Sequence, residues 1–267
     1  IHIELFKTEK YWHVKGVIMN NTEVVVTGLG AVTALGLNLD DTWSNIVEGK
    51  SGIGPIKCFD TTDSITKIAA EVPEEFGEVA KKHIKKRTMR QMTKVGQFCF
   101  ISAKEAVEDS GLNIDSIDKE RVAVLVGATG SGYTSLEAQV PGNYIVRSML
   151  NSLSAWVSLN YGFKGPNFTV NTACASSGYA LGLAYDMIQR GQADVVVVGG
   201  AESMICPEGI AGFNELMAMS ENNEAVSKAC RPFDKDRDGF VMGEGAGTIV
   251  LESLDSAVKR NARIYCK

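Results

Sequence analysis

A chain of 267 residues with 45% hydrophobic and 22% charged side chains has enough apolar material for a sizeable core, in one large domain or two small ones. That composition excludes a disordered chain, a collagen-like repeat and a disulfide-stapled miniprotein. A net charge of −5 disfavours nucleic acid as the partner of the chain as a whole.

In chain order, residues 1–18 mix charges with aromatics and do not read as a signal peptide. They are taken as an extension of unknown status, and Met19 fits a natural start. Residues 24–28, three valines with Thr27 and Gly28, predict a buried strand, and 40–48 a helix capped by Asp40 or Asp41. From Val95 the apolar positions Phe98, Cys99, Ala103, Ala106 and Val107 keep a helical period that Gly111 ends. Strands are expected at 122–127, 168–172, 195–198 and 246–251, with helices at 144–161, 174–190 and 253–260. This alternation predicts an α/β fold with a largely parallel sheet. No apolar run is long enough to span a bilayer.

The helix at 174–190 has apolar residues on every side, with no charge between Lys164 and Asp186. It is therefore expected to be buried all round, between two layers. Charge is concentrated instead at Lys81, Lys82, Lys85, Lys86, Arg87 and Arg90, a run without an acid. Two readings stand: a solvated helix start, or a docking patch whose field steers an acidic macromolecule. No aromatics interleave, so a nucleic-acid groove is disfavoured.

The six cysteines, Cys58, Cys99, Cys174, Cys206, Cys230 and Cys266, form no C-x-x-C pair, which argues against zinc and iron–sulfur sites and suits a reducing cytoplasm. Gly28-Leu29-Gly30 after a strand imitates a dinucleotide fingerprint but lacks its third glycine and its acid; a tight strand-to-loop turn explains it. Asp234, Asp236, Asp238 and Gly239 imitate a calcium loop, yet position twelve is Gly245. Pairing of Arg231 and Arg237 with the neighbouring aspartates is expected instead. At Thr172-Ala173-Cys174-Ala175-Ser176-Ser177 a strand ends and a cysteine opens the charge-free helix. Free N–H groups and the helix dipole there favour a thiolate, a nucleophile at Cys174, and can hold a thioester oxyanion. The competing reading is a small core residue. Cys99 reads as core, and the other four cysteines have no activating context.

Around Cys174 the sequence resembles the β-ketoacyl synthases of the thiolase superfamily. The match continues collinearly through Val26-Thr27-Gly28-Leu29-Gly30, Gly162-Phe163-Lys164-Gly165-Pro166-Asn167, Gly199-Gly200-Ala201-Glu202, Arg231-Pro232-Phe233-Asp234 and Gly243-Glu244-Gly245-Ala246-Gly247. The resemblance points to the carrier-protein-dependent enzymes of type II synthases. The resemblance implies thiolase-like αβαβα layers, of which residues 19–267 form the first of two duplicated halves, the N-terminal domain. It implies that Cys174 takes an acyl group from an acyl carrier protein and condenses it with malonyl-acyl carrier protein, both groups being phosphopantetheine-linked, with loss of carbon dioxide. It implies a homodimer paired through residues 168–172, carrier docking on Lys81, Lys82, Lys85, Lys86, Arg87 and Arg90, and no cofactor or metal. Neither nucleic acid nor membrane is an expected partner.

Departures from the family pattern are equally specific. Two histidines, a lysine and a Gly-Phe-Gly loop belong to the second half, and the chain stops where that half is expected. His83 lies in the basic run, and His2 and His13 precede the fold. A connection around residues 137–144 is shorter than in relatives. Three readings follow: a synthase completed by residues elsewhere or by a complementing C-terminal-half chain; a non-catalytic fragment or interaction subunit that docks a carrier protein or a second chain; and a thiolase-type enzyme using coenzyme A thioesters, which the motifs suit least. Alone, the chain is expected to be oligomeric or poorly soluble.

Overall fold

The computed structural model describes residues 22–130 and 142–267 and, ahead of them, the backbone of 5–8, 11–14 and 17–20. β1 (Leu5–Thr8), β2 (Tyr11–Val14) and β3 (Val17–Asn20) form an antiparallel meander within and just beyond the expected extension. The main body then runs β4 (Val24–Val32), α1 (Leu39–Val47), β5 (Gly54–Pro55), β6 (Ile68–Ala69), α2 (Phe76–His83), α3 (Lys86–Met89) and α4 (Lys94–Asp109). It continues with β7 (Val122–Gly127), α5 (Tyr144–Ser148), α6 (Ser152–Tyr161), β8 (Asn167–Val170) and α7 (Ser176–Gln189). Last come β9 (Val195–Glu202), α8 (Pro207–Glu215), β10 (Gly245–Ser253) and α9 (Leu254–Lys259).

The central sheet has the order β4-β10-β9-β7-β8. β7 pairs parallel with β8 and β9, but β10 pairs antiparallel with both β4 and β9. The sheet is thus mixed, which corrects the expectation of a largely parallel one. The cause is the path of the chain. Residues 203–244 stay at the end of the sheet where β9 finishes, and β10 re-enters from there, placing Gly245 opposite Glu202.

Alternating side chains bury both faces of the sheet. Val122, Val124, Val195 and Val197 pack towards α4 and α6 with Ala103, Ala106 and Val107, while Ala123, Leu125, Val196 and Val198 pack on Ala180, Ala184 and Ile188 of α7. α4 is capped by Thr93, whose side chain accepts from the Gly96 amide. The two glycines of the fingerprint-like run lie within β4 and make no turn there. A Cβ on Gly28 would stand 2.1 Å from the Ala106 carbonyl oxygen, and one on Gly30 would stand 2.1 Å from that of Ser102. They exist so that α4 can lie backbone-to-backbone on β4.

Carboxylates on α4 fix that contact. Glu105 accepts from the Ala31 and Leu39 amides, each at 2.8 Å, and Asp109 from the Leu29 amide at 2.9 Å. At the C-terminus, buried Glu252 binds the Arg260 guanidinium at 2.7 Å, and Arg260 also donates to the Ser110 carbonyl at the end of α4. The single helix expected at 144–161 is two, because Met149 is extended between α5 and α6. The connection around 137–144 falls largely outside the described residues.

The expectation for α7 holds on one side only. Its inner face is fully buried at Ala180 and Ala184, whereas Tyr179 is 60% exposed, and Leu181, Leu183 and Tyr185 are exposed beside it. No described element covers that outer face.

Candidate active site

β8 ends at Val170 and α7 begins at Ser176, so the chain reverses through the five residues between them, Asn171, Thr172, Ala173, Cys174 and Ala175. Ala173 is left-handed, with φ of 52°. For a residue with a Cβ that conformation costs about 1–2 kcal/mol, so the surroundings must hold it. Ser176 does so locally: its hydroxyl oxygen accepts from the Thr172 amide at 2.9 Å and its O–H donates to the Ala173 carbonyl at 2.6 Å. The Ala175 and Ser176 amides donate to the carbonyls of Thr172 and Ala173. Cys174 is exposed at the tip, and its amide has no acceptor among the described residues.

The start of α7 rests directly on the sheet. A Cβ on Gly127 would lie 2.3 Å from the Ser177 nitrogen, and one on Gly200 would lie 2.7 Å from Ser177 Cβ. Any larger residue at the ends of β7 and β9 would push the cysteine outward. Sequence reasoning singled out Cys174 but missed these glycines and Ser176. The available signal was a glycine closing each valine-rich strand beside a helix start.

The basic run is a surface corner. α2 and α3 are anchored by buried Ala80 and Ile84, leaving Lys81, Lys82, Lys85, Lys86, Arg87 and Arg90 all exposed. Lys81 pairs with Glu78 at 2.6 Å; the other five have no carboxylate within ion-pair distance among the described residues. The corner precedes α4, and at the start of that helix Lys94 reaches buried Glu244 at 2.6 Å. Glu244 in turn accepts from Ser203, the residue after β9. The start of α4 therefore lies at the end of the sheet where β9 finishes, and the end of α2 faces Lys104 and Glu108 further along α4.

The remaining thiols are placed for other ends. Burial pushes the Cys99 thiol up to about 12. Burial and Glu71 together push that of Cys58 up to about 12, and its thiol donates to the Ile205 carbonyl. The Cys206 sulfur caps α8, accepting from the Gly209 amide. In the loop that imitates a calcium site, Arg231 pairs with Asp238 at 3.2 Å as expected, but Arg237 donates to the Asp234 carbonyl and finds no carboxylate among the described residues. Among the described residues, no group of three His, Cys, Asp or Glu side chains gathers to hold a metal, and no helix is long and apolar enough to cross a membrane.

A family model described as β-ketoacyl synthase, N-terminal domain, matches residues 21–257. The chain belongs to the β-ketoacyl synthase family. The chain is 37% identical over 258 residues to 3-oxoacyl-[acyl-carrier-protein] synthase 2 of Synechocystis, covering 92% of this chain and 61% of the relative. It is 38% identical to the chloroplastic 3-oxoacyl-[acyl-carrier-protein] synthase I of Hordeum vulgare, covering 91% and 56%. Among solved structures, a β-ketoacyl synthase from Burkholderia phymatum superposes with a TM-score of 0.82 at 30% identity, covering 91% of this chain and 62% of that one. A type II polyketide ketosynthase in complex with its acyl-carrier protein superposes with a TM-score of 0.78 at 28% identity, covering 92% and 62%. The chain spans about three fifths of the length of these relatives. The fold is the thiolase-like α/β fold of ketosynthases, in its N-terminal half, as the sequence motifs implied.

Proposed function

We propose that residues 19–267 form the N-terminal domain of a cytoplasmic 3-oxoacyl-acyl carrier protein synthase of fatty-acid or polyketide synthesis, with residues 1–18 outside it and Cys174 as the acyl acceptor. The observation that carries this reading is the exposed thiol at a left-handed turn, seated on Gly127 and Gly200 at the start of α7. The Cys174 thiolate attacks the carbonyl carbon of an acyl group held as a thioester on a carrier's phosphopantetheine. A new S–C bond forms, the old one breaks, and the pantetheine thiolate leaves and takes up a proton. Amides at the turn offer partial positive charge to the transient oxyanion.

Condensation follows when a carrier-bound malonyl group loses carbon dioxide and its α-carbon attacks the acyl carbon on Cys174. The product is a 3-oxoacyl thioester on the carrier, and the Cys174 thiolate is released. That step calls for acid–base and carbonyl-binding histidines, which residues outside this chain supply, in the same polypeptide or in a second one. The outer edge of β8, with no strand partner among the described residues, suits pairing across a homodimer. The exposed corner of Lys81, Lys82, Lys85, Lys86, Arg87 and Arg90 receives the acidic carrier. Its support is charge, exposure, and a related ketosynthase solved with its carrier protein.

Intact-mass spectrometry after incubation with acyl-carrier-protein thioesters tests the nucleophile. An acyl-sized gain that disappears in Cys174→Ala is expected. No gain from a folded chain favours the second reading, a non-catalytic ketosynthase fragment or interaction subunit that docks a carrier protein or a second chain. The uncovered apolar face of α7 is the observation that supports this alternative.

A further inference from the structure

The ties that Ser176 makes are local to the turn and do not register it against the sheet. A second set of bonds does. The Ala173 amide donates to Asn171 Oδ1 at 3.3 Å, and Asn171 Nδ2 donates to the Thr129 carbonyl at 3.1 Å. Thr129, two residues past β7, gives both its amide, at 3.1 Å, and its hydroxyl to Glu202 Oε2 at the end of β9. The other oxygen of Glu202 accepts from the Ser203 amide at 3.1 Å. A carboxylate receiving three donors makes charge-assisted bonds, the stronger kind.

We propose that Asn171, Thr129 and Glu202 are positioning residues for Cys174, joined into a strut that runs from the end of β9 across the end of β7 to the left-handed residue before the nucleophile. The strut rests on the reading of Cys174 as that nucleophile. Its geometry gives each member a distinct task. Glu202 clamps the chain leaving β7, Thr129 presents a fixed carbonyl, and Asn171 is the only one of the three that touches the turn. Ala173 is thereby held from the sheet side as well as from the helix side. A nucleophile displaced by a fraction of an ångström loses rate without loss of fold.

Alkylation of the full chain by iodoacetamide, followed peptide by peptide between pH 6 and 9, tests the strut without requiring acyl transfer. Asn171→Ala and Thr129→Val are expected to slow Cys174 alkylation about tenfold and to change its pH profile. Exposed Cys230 and Cys266 should keep their rates, and buried Cys99 should stay protected. Thr129→Ser, which keeps the hydroxyl, is expected to restore the rate. Glu202→Gln, which loses the charge but keeps an acceptor, should fall between. Cys174 rates within twofold of the unsubstituted chain in both Asn171→Ala and Thr129→Val overturn the proposal. So does labelling of Cys99 in these variants, which would assign the residues to the fold alone. If the strut variants behave as expected while the unsubstituted chain takes no acyl group, the acyl-acceptor reading fails and the strut stands.

Discussion

The two faces of the central sheet are covered by helices of similar apolar character, yet they end in opposite states. α4 buries Val95, Phe98, Cys99, Ile101, Ala103 and Ala106, is backed by α2 and α6, and is tied to β4 through Glu105 and Asp109. α7 buries only a strip, and its outer aromatic and leucine side chains meet solvent. Burial of such side chains is worth about 1.5–3 kcal/mol each, so the partly exposed set on α7 is a standing drive towards association. The comparison teaches that an all-round apolar helix reports a face to be covered; the covering layer is a separate matter.

The strongest way to break the α4 side is Arg260→Ala. It leaves the buried Glu252 carboxylate unpaired and removes the link to the end of α4, with an expected loss of about 3–5 kcal/mol in urea unfolding. Next is Gly30→Ala, expected to cost about 3 kcal/mol because its methyl meets a backbone carbonyl. On α7 the same exchange should reverse sign. Gly182 has open space around its Cβ position, so Gly182→Ala should stabilise the isolated chain by about 1 kcal/mol through helix propensity alone. Destabilisation there would mean that another copy already covers the face.

Charge reversal of Lys85, Lys86 and Arg87 to Glu should slow acyl loading from a carrier protein about tenfold at low salt and leave loading from a small pantetheine thioester unchanged. Tyr179→Glu should move stability by less than about 0.5 kcal/mol while shifting sedimentation towards monomer. The smallest effect concerns pH. Burial raises the Glu105 carboxyl above its usual range, against the pull of two amides. The folded state therefore holds a proton that the unfolded chain releases. That contribution is complete below the ordinary carboxylate range and is lost as pH rises through the elevated folded value. Thermal melts of Glu105→Gln across that range should lack this component.

Much of this fold was legible because local patterns are physical. The four valines from Val195 are a strand buried on both faces, and the apolar period from Val95 is α4. The direction of β10 was not legible, since direction follows from where the 203–244 excursion lies and not from any local pattern. Gly28 and Gly30 looked like a turn because a glycine allowing another backbone to approach leaves the same trace as one allowing a bend. At the candidate site Cys174 stood out by its place between strand and helix. Its supports did not: Asn171 and Thr129 lie 42 residues apart, and Thr129 and Glu202 lie 73 apart. The charge of the 81–90 corner was plain from composition. That Lys94, just beyond it, meets buried Glu244 across 150 residues was not.

The reversed strand has a consequence for how the chain is made. β4 is the first strand of the central sheet, and among the described residues the strand it pairs with is β10, which starts at Gly245. At ribosomal speeds of 5–20 residues per second, β4 waits about 10–40 s for that partner. Through that interval its backbone is an unpaired edge that any passing strand can occupy. The central sheet closes only once β10 has left the ribosome, so a nascent chain cut short before it keeps that edge of β4 open.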